Sequence, residues 1–219
     1  MIVKLSGPMV PPKSGGAPKQ AVVLLHGYGS DGQDLIGLAG YWRDLLPDAL
    51  FVSPNAPEPC RDNPGGYQWF TVDFSRPEYR FDGASKAQPV VVEFLRDLWT
   101  QTGLTPKDTI LGGFSQGAMM ALHVSLTLDE ALMGVIAFSG ALIAPPGFAN
   151  YVGPKPAICL VHGDRDAVVD PALSEEAATV LRSKGFAVSY HVEAEAGHTI
   201  TEDGLAFAGE FIAAVSATV

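Results

Sequence analysis

The sequence has few of the features that mark secreted, membrane-spanning or metal-binding proteins. Only two of the 219 residues are cysteine, Cys60 and Cys159, and no Cys-x-x-Cys spacing indicates a metal site. Nothing in their unlike surroundings supports a disulfide. No stretch approaches the roughly 20 apolar residues that span a bilayer, and the first residues lack the apolar core of a signal peptide. We therefore expect a reduced, cytoplasmic protein with no metal.

Basic residues are also scarce. The chain has 14 Lys and Arg against 24 Asp and Glu, a formal net charge of −10. Because nucleic acids and anionic membrane surfaces are themselves polyanions, this balance argues against both as partners. The length is that of one α/β domain, and we see no repeat and no second domain, so residues 1–219 are predicted to form a single unit.

Apolar runs alternate with segments of helical spacing along most of the chain. After a short strand and an exposed connection predicted in residues 1–20, the strands are predicted at 21–25, 50–53, 133–138, 157–161 and 187–192. Helices are predicted at 35–46, 82–102, 170–184 and 201–214. This alternation is typical of a mostly parallel sheet covered by helices on both faces. The predicted class is therefore α/β.

Residues 54–80 break this alternation. They are rich in proline and glycine and contain an aromatic set: Tyr67, Trp69, Phe70, Phe74 and Tyr79. A stretch this long with little regular pattern is often functional. One interpretation is a loop or short hairpin that forms the wall of a pocket. The alternative, weighed equally, is an aromatic cluster that only seals the core.

The pattern that organises the chain is Gly113-Phe114-Ser115-Gln116-Gly117. An apolar run precedes it and an Ala/Met-rich segment follows, which predicts a strand, a tight turn and a helix. In such a turn the serine hydroxyl is presented as a nucleophile, and the two glycines are expected because a Cβ there would collide with neighbouring backbone. An ordinary Gly/Ser turn is the alternative, so the serine needs partners.

Those partners should follow other strands, because ligands bind at the carboxyl ends of parallel strands. His198 follows the last predicted strand, whereas His26, His123, His162 and His191 have structural explanations. The acid should come from residues 162–171, where Asp166 is preferred to Asp164 because two valines can shield it. The order Ser115, Asp166, His198 is that of the α/β-hydrolases. Backbone N–H groups of Gln116 and Tyr28 are predicted to bind the oxyanion.

These motifs resemble the carboxylesterase/phospholipase family of α/β-hydrolases, which includes the acyl-protein thioesterases. The matching stretches are 25–29, 113–117, 162–169 and 197–198 with the terminal helix, and they extend over 21–212. The resemblance implies a compact hydrolase without a large lid, acting on ester or thioester substrates with no cofactor. The family's Trp-Phe pair is matched by Trp69-Phe70, which implies a role in substrate binding, although the approach to that pair, residues 57–68, is longer here.

The predicted function is therefore that of a serine carboxylesterase acting on short- to medium-chain acyl esters through an acyl-enzyme, with thioesters or lysophospholipids as further substrates. An acyl-protein thioesterase, a serine peptidase or an acyltransferase would use the same triad. A binding protein that kept the fold without catalysis is the alternative from another class. Exposed apolar side chains around the pocket are compatible with a homodimer.

Overall fold

The computed structural model describes residues 4–72 and 79–217. Nine strands and six α-helices lie within them. The strands are β1 Met9–Val10, β2 Gln20–Leu25, β3 Ala49–Val52, β4 Glu58–Pro59, β5 Tyr67–Gln68, β6 Thr109–Phe114, β7 Gly134–Phe138, β8 Ala157–Gly163 and β9 Val188–Glu193. The helices are α1 Gly32–Leu35, α2 Ala39–Trp42, α3 Tyr79–Thr102, α4 Gln116–Ser125, α5 Ala172–Ser183 and α6 Glu202–Ser216.

Seven of these strands form one sheet in the order β1-β3-β2-β6-β7-β8-β9. Every neighbouring pair is parallel except β1 with β3, where Met9 pairs with Val52 in antiparallel register. Because parallel neighbours start and end together, the carboxyl ends of β6, β8 and β9 lie along one edge. The mostly parallel sheet predicted from the apolar runs is confirmed.

Helices cover both faces of the sheet. In β2 the side chains alternate: Val23 packs in a core with α3, α4 and α5, while Val22 and Leu24 pack in a second core with α1, α2 and α6. Since each strand residue is buried on whichever face it points to, the strands are continuously apolar. None of the helices within the described ranges is long and apolar enough to cross a membrane.

Several element boundaries differ from the sequence prediction. The first described strand is Met9–Val10, which lies within the stretch 1–20 where a short strand was predicted and pairs with β3; residues 1–3 lie outside the described part. The helix predicted at 35–46 is broken into α1, a 3₁₀ turn at Ile36–Leu38 and α2. Helix α3 begins three residues earlier than predicted and ends before Gly103, whose φ of 76° fits the expected cap.

The hairpin expected within residues 54–80 is formed by β4 and β5. It is tied to the loop after β2, because the Gly29 N–H donates to the Tyr67 carbonyl at 2.9 Å and the Tyr67 N–H donates to the Ser30 carbonyl at 2.8 Å. Phe74, a member of the predicted aromatic set, lies outside the described residues, as does the side chain of Tyr79. The hairpin therefore rests on the loop that follows β2.

Candidate active site

Ser115 lies on a tight turn between β6 and α4. Its backbone has φ 54° and ψ −116°, a conformation that residues with a side chain rarely adopt and that is found where function imposes strain. Its N–H donates to the carbonyl of Phe138 at 2.9 Å, which holds the turn to the end of β7. The turn thus places the hydroxyl at the carboxyl edge of the sheet.

The two glycines of the motif are required by close packing, as predicted. A Cβ on Gly117 would lie 1.8 Å from the Leu25 carbonyl oxygen, and one on Gly113 would lie 2.4 Å from the Gly117 carbonyl carbon. Neither contact can be relieved by turning a side chain, because the atoms met are backbone. The first turn of α4 can approach β2 and β6 this closely only without side chains at both positions.

Three side chains from separate loops are joined by hydrogen bonds at this edge. His198, in the loop after β9, has Nε2 3.0 Å from Ser115 Oγ. Its Nδ1 lies 2.6 Å from Oδ2 of Asp166, in the loop after β8. With Nδ1 protonated toward the carboxylate, Nε2 is left bare and can accept the proton of Ser115. The structure therefore brings the three predicted residues together.

Asp166 is held by four donors. Oδ1 accepts the N–H groups of Val168 and Val169 at 2.8 and 2.9 Å, while Oδ2 faces His198 and, at 3.1 Å, His162 Nε2. Burial alone would raise the pKa of this carboxyl, but the bonds from His198 and the two valine N–H groups lower it overall. The carboxylate is therefore charged and its orientation is fixed. Asp164, the rival considered from sequence, is exposed.

The tautomer of His162 follows from its neighbours. Its Nε2 faces two acceptors, Asp166 Oδ2 and the Val169 carbonyl at 3.0 Å, so this nitrogen must carry a proton. Its Nδ1 lies 2.6 Å from Ser174 Oγ, which itself donates to the Gly140 carbonyl at 3.0 Å. His162 thus supports Asp166 from the side opposite His198. Sequence analysis gave His162 only a structural role at a strand end and missed this contact.

The loop after β2 presents backbone donors beside Ser115. A Cβ on Gly27 would lie 3.4 Å from the Cβ of Ser115, which measures how closely the loop approaches. Within the described residues, no acceptor is found for the N–H of Tyr28 or of Gln116, whereas those of Gly29 and Ser30 are both used. Two free donors next to a nucleophile are what an oxyanion requires.

The side chain of Gln116 fastens the hairpin segment to the serine turn. Its Oε1 accepts the Trp69 N–H at 2.9 Å and its Nε2 donates to the Phe70 carbonyl at 2.7 Å. The Trp69 indole donates to the His26 carbonyl at 2.9 Å and is only 1% exposed. The expected pair is therefore divided: Phe70 lines the cavity, while Trp69 is buried in the core, where its indole N–H has the His26 carbonyl as acceptor.

A cavity of about 180 Å³ opens onto Ser115 and His198. The walls that the described residues form are mostly apolar and include an arginine. Besides those two residues, the lining consists of Tyr28, Phe70, Val72, Arg80, Gln116, Met119, Val168 and Val169. Met119 lies four residues after Ser115 on α4, a spacing that could have been found from sequence. No motif marked Val72 or Arg80. An apolar cavity of this kind suits a small acyl group.

No ligand set for a metal ion is found in residues 4–72 and 79–217. Both cysteines are buried free thiols, and burial raises the pKa of Cys159 to about 12. Cys159 is therefore protonated at neutral pH. The chemistry available at this edge is that of the serine, the imidazole and the backbone donors.

His26 supplies a pH-dependent element to the loop beside Ser115. Its Nε2 accepts the Ala56 N–H at 3.0 Å, and its Nδ1 donates to the Gly27 carbonyl at 2.8 Å. Burial lowers the pKa of His26, and burial likewise lowers that of His123. A proton added at Nε2 of His26 would point at the Ala56 N–H and break that bond. The neutral ring is therefore part of the folded structure.

We expect the free energy of unfolding to fall as the pH drops below about 6.5, the ordinary histidine pKa. There the unfolded chain takes up protons that folded His26 and His123 do not, so stability rises with pH through this window. Each histidine contributes at most about 1.4 kcal/mol per pH unit. Asp166, whose pKa is lowered, changes the free energy of unfolding only below about pH 4, outside the pH range in which the two histidines act.

The measurement is urea unfolding followed by tryptophan fluorescence between pH 7.5 and 5. The His26→Gln variant keeps an acceptor and a donor in place but does not titrate, so its stability should depend less on pH than that of the wild type. His123→Gln should remove part of the remaining dependence. An identical pH dependence in all three proteins would contradict this account.

The amino-acid sequence is similar to those of known esterases and thioesterases. A model of the phospholipase/carboxylesterase family matches residues 10–216. The chain is 34% identical over 191 residues to esterase YpfH of Escherichia coli K12, covering 87% of this chain and 80% of that protein. It is 31% identical over 210 residues to acyl-protein thioesterase 1 of Saccharomyces cerevisiae, covering 89% and 92%.

Among solved structures, the crystal structure of esterase PE8 is similar over the whole length. It superposes with a TM-score of 0.93 at 52% identity and covers 97% of this chain and 100% of its own. A carboxylesterase of Bacillus cereus, with a TM-score of 0.77 at 19% identity, shares the fold. The α/β-hydrolase architecture predicted from the sequence is confirmed by these likenesses.

Proposed function

Because the chain belongs to the phospholipase/carboxylesterase family of α/β-hydrolases and is a serine esterase, we propose that Ser115, His198 and Asp166 are its catalytic triad. The observation that carries this proposal is the pair of hydrogen bonds from Ser115 through the imidazole to the buried carboxylate, at 3.0 and 2.6 Å. Ser115 and His198 line a mostly apolar cavity, where an acyl chain can bind.

The proposed reaction has two steps. Ser115 Oγ attacks the ester carbonyl while His198 Nε2 takes its proton, and Asp166 stabilises the imidazolium that forms. The N–H groups of Gln116 and Tyr28 bind the negative oxygen of the tetrahedral intermediate. His198 then gives its proton to the leaving alcohol, which departs and leaves an acyl-enzyme. Water, deprotonated by His198, attacks that ester and releases the acid and free Ser115.

The proposed substrates are esters of short- to medium-chain acids. A cavity of about 180 Å³ supports a small acyl group better than a long chain. Thioesters are proposed as a second substrate class, because some relatives of this chain are named acyl-protein thioesterase 1. A thiol is a better leaving group than an alcohol, so the same arrangement would serve without change. No metal or organic cofactor takes part in this scheme.

We also propose a cytoplasmic location, which the two free thiols support because secreted proteins more often use cysteines in disulfides. The net charge of −10 supports a small-molecule substrate rather than a nucleic acid. Association of two copies through apolar side chains around the cavity, where Val168 is 59% exposed, stays a prediction.

The substrate proposal is tested by a chain-length series. We expect kcat/KM for p-nitrophenyl esters to rise with chain length from acetate and to stop rising by octanoate, because a buried methylene is worth about 0.8 kcal/mol while methylenes beyond the cavity gain no burial. The matching acyl thioesters are measured in parallel. A kcat/KM that rises steadily to palmitate would contradict the cavity as the acyl site.

A further inference from the structure

Arg80 introduces a permanent positive charge into a cavity whose walls are mostly apolar. It lies in the first turn of α3 and lines the same cavity as Ser115 and His198. The lining around it is contributed largely by Phe70, Val72, Met119, Val168 and Val169. Esters of simple fatty acids have no anionic group that would form an ion pair with a guanidinium. A cation in this position therefore has to be explained by something other than acyl-chain binding.

Arg80 has no ion-pair partner among the residues that the structure describes. Several surface cations have carboxylate partners: Lys4 with Asp97, Lys13 with Asp44, Lys19 with Asp48 and Arg165 with Glu195. For the Arg80 guanidinium, by contrast, the described part of the chain offers neither an ion pair nor a hydrogen bond. Asp166, the carboxylate beside the cavity, is already held by four donors and has a fully buried side chain. The guanidinium is left available to a ligand.

This position is also unfavourable for an arginine in the free protein. The N-terminal end of a helix carries a partial positive charge, so a cation in the first turn is destabilising, and burying part of an unpaired charge adds to that cost. An anion bound in the cavity would offset both of these costs, because it would pair with the guanidinium. A protein of net charge −10 repels anionic ligands at long range. To bind an anionic ligand, it therefore needs a cation at the binding site.

We infer that Arg80 is a specificity-determining residue that binds an anionic group of the substrate, and that the preferred substrates are acyl esters carrying a carboxylate. The inference rests on the proposed function, since the cavity is taken to be the substrate site. Arginine is suited to this because its planar fork forms two parallel hydrogen bonds with a carboxylate. The carboxylate can belong to the acyl group or to the leaving group, and the experiment has an arm for each.

The acyl arm compares p-nitrophenyl hydrogen adipate with the p-nitrophenyl ester of adipic acid monoamide, its neutral analogue of nearly equal shape. The leaving-group arm compares 4-butyryloxybenzoate with 4-butyryloxybenzamide. The members of each pair are nearly equal in shape but differ in charge, and their intrinsic difference in reactivity cancels when the ratio is compared between variants. The ratio of kcat/KM for the anionic and the neutral member is measured for the wild type, Arg80→Met, Arg80→Lys and Arg96→Met.

Arg80→Met should lower this ratio in one arm, the one whose carboxylate lies where Arg80 can bind it. The expected decrease is roughly 10- to 100-fold, the range of a charge-assisted hydrogen bond. Arg80→Lys should retain part of the ratio, because it keeps the charge but not the fork. Arg96→Met is the matched control: it removes the same charge from an exposed position of α3 and should leave the ratio unchanged.

A ratio that Arg80→Met leaves unaltered in both arms would overturn the inference. So would an equal loss on anionic and neutral members, because that result indicates a structural role; melting temperatures of the variants would then show a matching decrease. The proposed function fails separately. If the wild type hydrolyses neutral esters through Ser115 but shows no dependence on Arg80, only the inference is wrong, whereas hydrolysis retained without the Ser115 hydroxyl would overturn the function itself.

Discussion

Replacing Ser115 with alanine is expected to lower kcat for ester hydrolysis by roughly 10⁴- to 10⁶-fold, as removal of the nucleophile does in other serine hydrolases. The hydroxyl lies 3.0 Å from His198 Nε2, and no other side chain of the proposed mechanism can form the acyl-enzyme. Alanine has no atom to attack the carbonyl. Activity is measured with p-nitrophenyl butyrate at saturating concentration.

Ser125→Ala is the matched control for this variant. Ser125 lies at the other end of α4, and its hydroxyl donates to the Leu122 carbonyl within the same helix. We expect its kcat to stay within about twofold of the wild type, since deleting a local helix bond costs about 1 kcal/mol of stability and nothing at the site. Ser115→Ala that folds normally and retains a tenth of the activity would contradict the assignment.

The second large effect is expected for Asp166→Asn, with kcat/KM reduced by about 10⁴-fold. The carboxylate accepts four hydrogen bonds, two from backbone N–H groups on Oδ1 and two from ring nitrogens at Oδ2. An amide cannot accept at both positions. If its NH₂ replaces Oδ2, it donates to His198 Nδ1, so Nε2 must carry the proton of the neutral ring and cannot take that of Ser115.

Asp164→Asn is the control, because Asp164 lies two residues away in the same loop but is exposed. Its kcat/KM should change by less than about threefold, as surface substitutions away from a site usually have small effects. The two variants are compared by kcat/KM and by melting temperature. A larger activity loss for Asp164→Asn than for Asp166→Asn would show that the acid had been assigned to the wrong residue.

The placement of Ser115, His198 and Asp166 at one edge could be predicted because it depends on topology alone. Each residue follows an apolar strand, and in a parallel sheet the strands end together. The need for Gly113 and Gly117 could be predicted for a similar reason, since their collisions involve backbone that the strand–turn–helix motif itself positions. Local sequence patterns contain enough information for these features.

Features that depend on contacts between distant segments could not be predicted. Trp69 and Phe70 are neighbours in sequence, yet only Phe70 reaches the cavity, because the His26 carbonyl and the Gln116 side chain draw Trp69 inward. Arg80 lies in no motif, and its place in the cavity depends on how α3 packs. The helix expected at 35–46 had the right periodicity but is broken at Ile36–Leu38, a turn whose Ile36 and Leu38 side chains pack in the second core.

The same distinction applies to the hydrogen bonds that orient the site. His162 could be placed at the end of β8 from sequence, but its contact with Asp166 Oδ2 depends on how the following loop folds back. The Gln116 side chain likewise bonds to the backbone of residues 69 and 70, more than 40 positions away. These bonds fix the orientation of groups whose identity the motifs had already indicated.

The central claim, that Ser115 is the nucleophile, is tested most directly by covalent labelling with a fluorophosphonate followed by peptide mass spectrometry. We predict one phosphonyl group per chain, located on Ser115, forming at the rate at which esterase activity is lost. Heat-denatured protein and Ser115→Ala should not be labelled. Inactivation by the reagent with the phosphonyl group on any other side chain, or full inactivation with Ser115 unmodified, would contradict the claim.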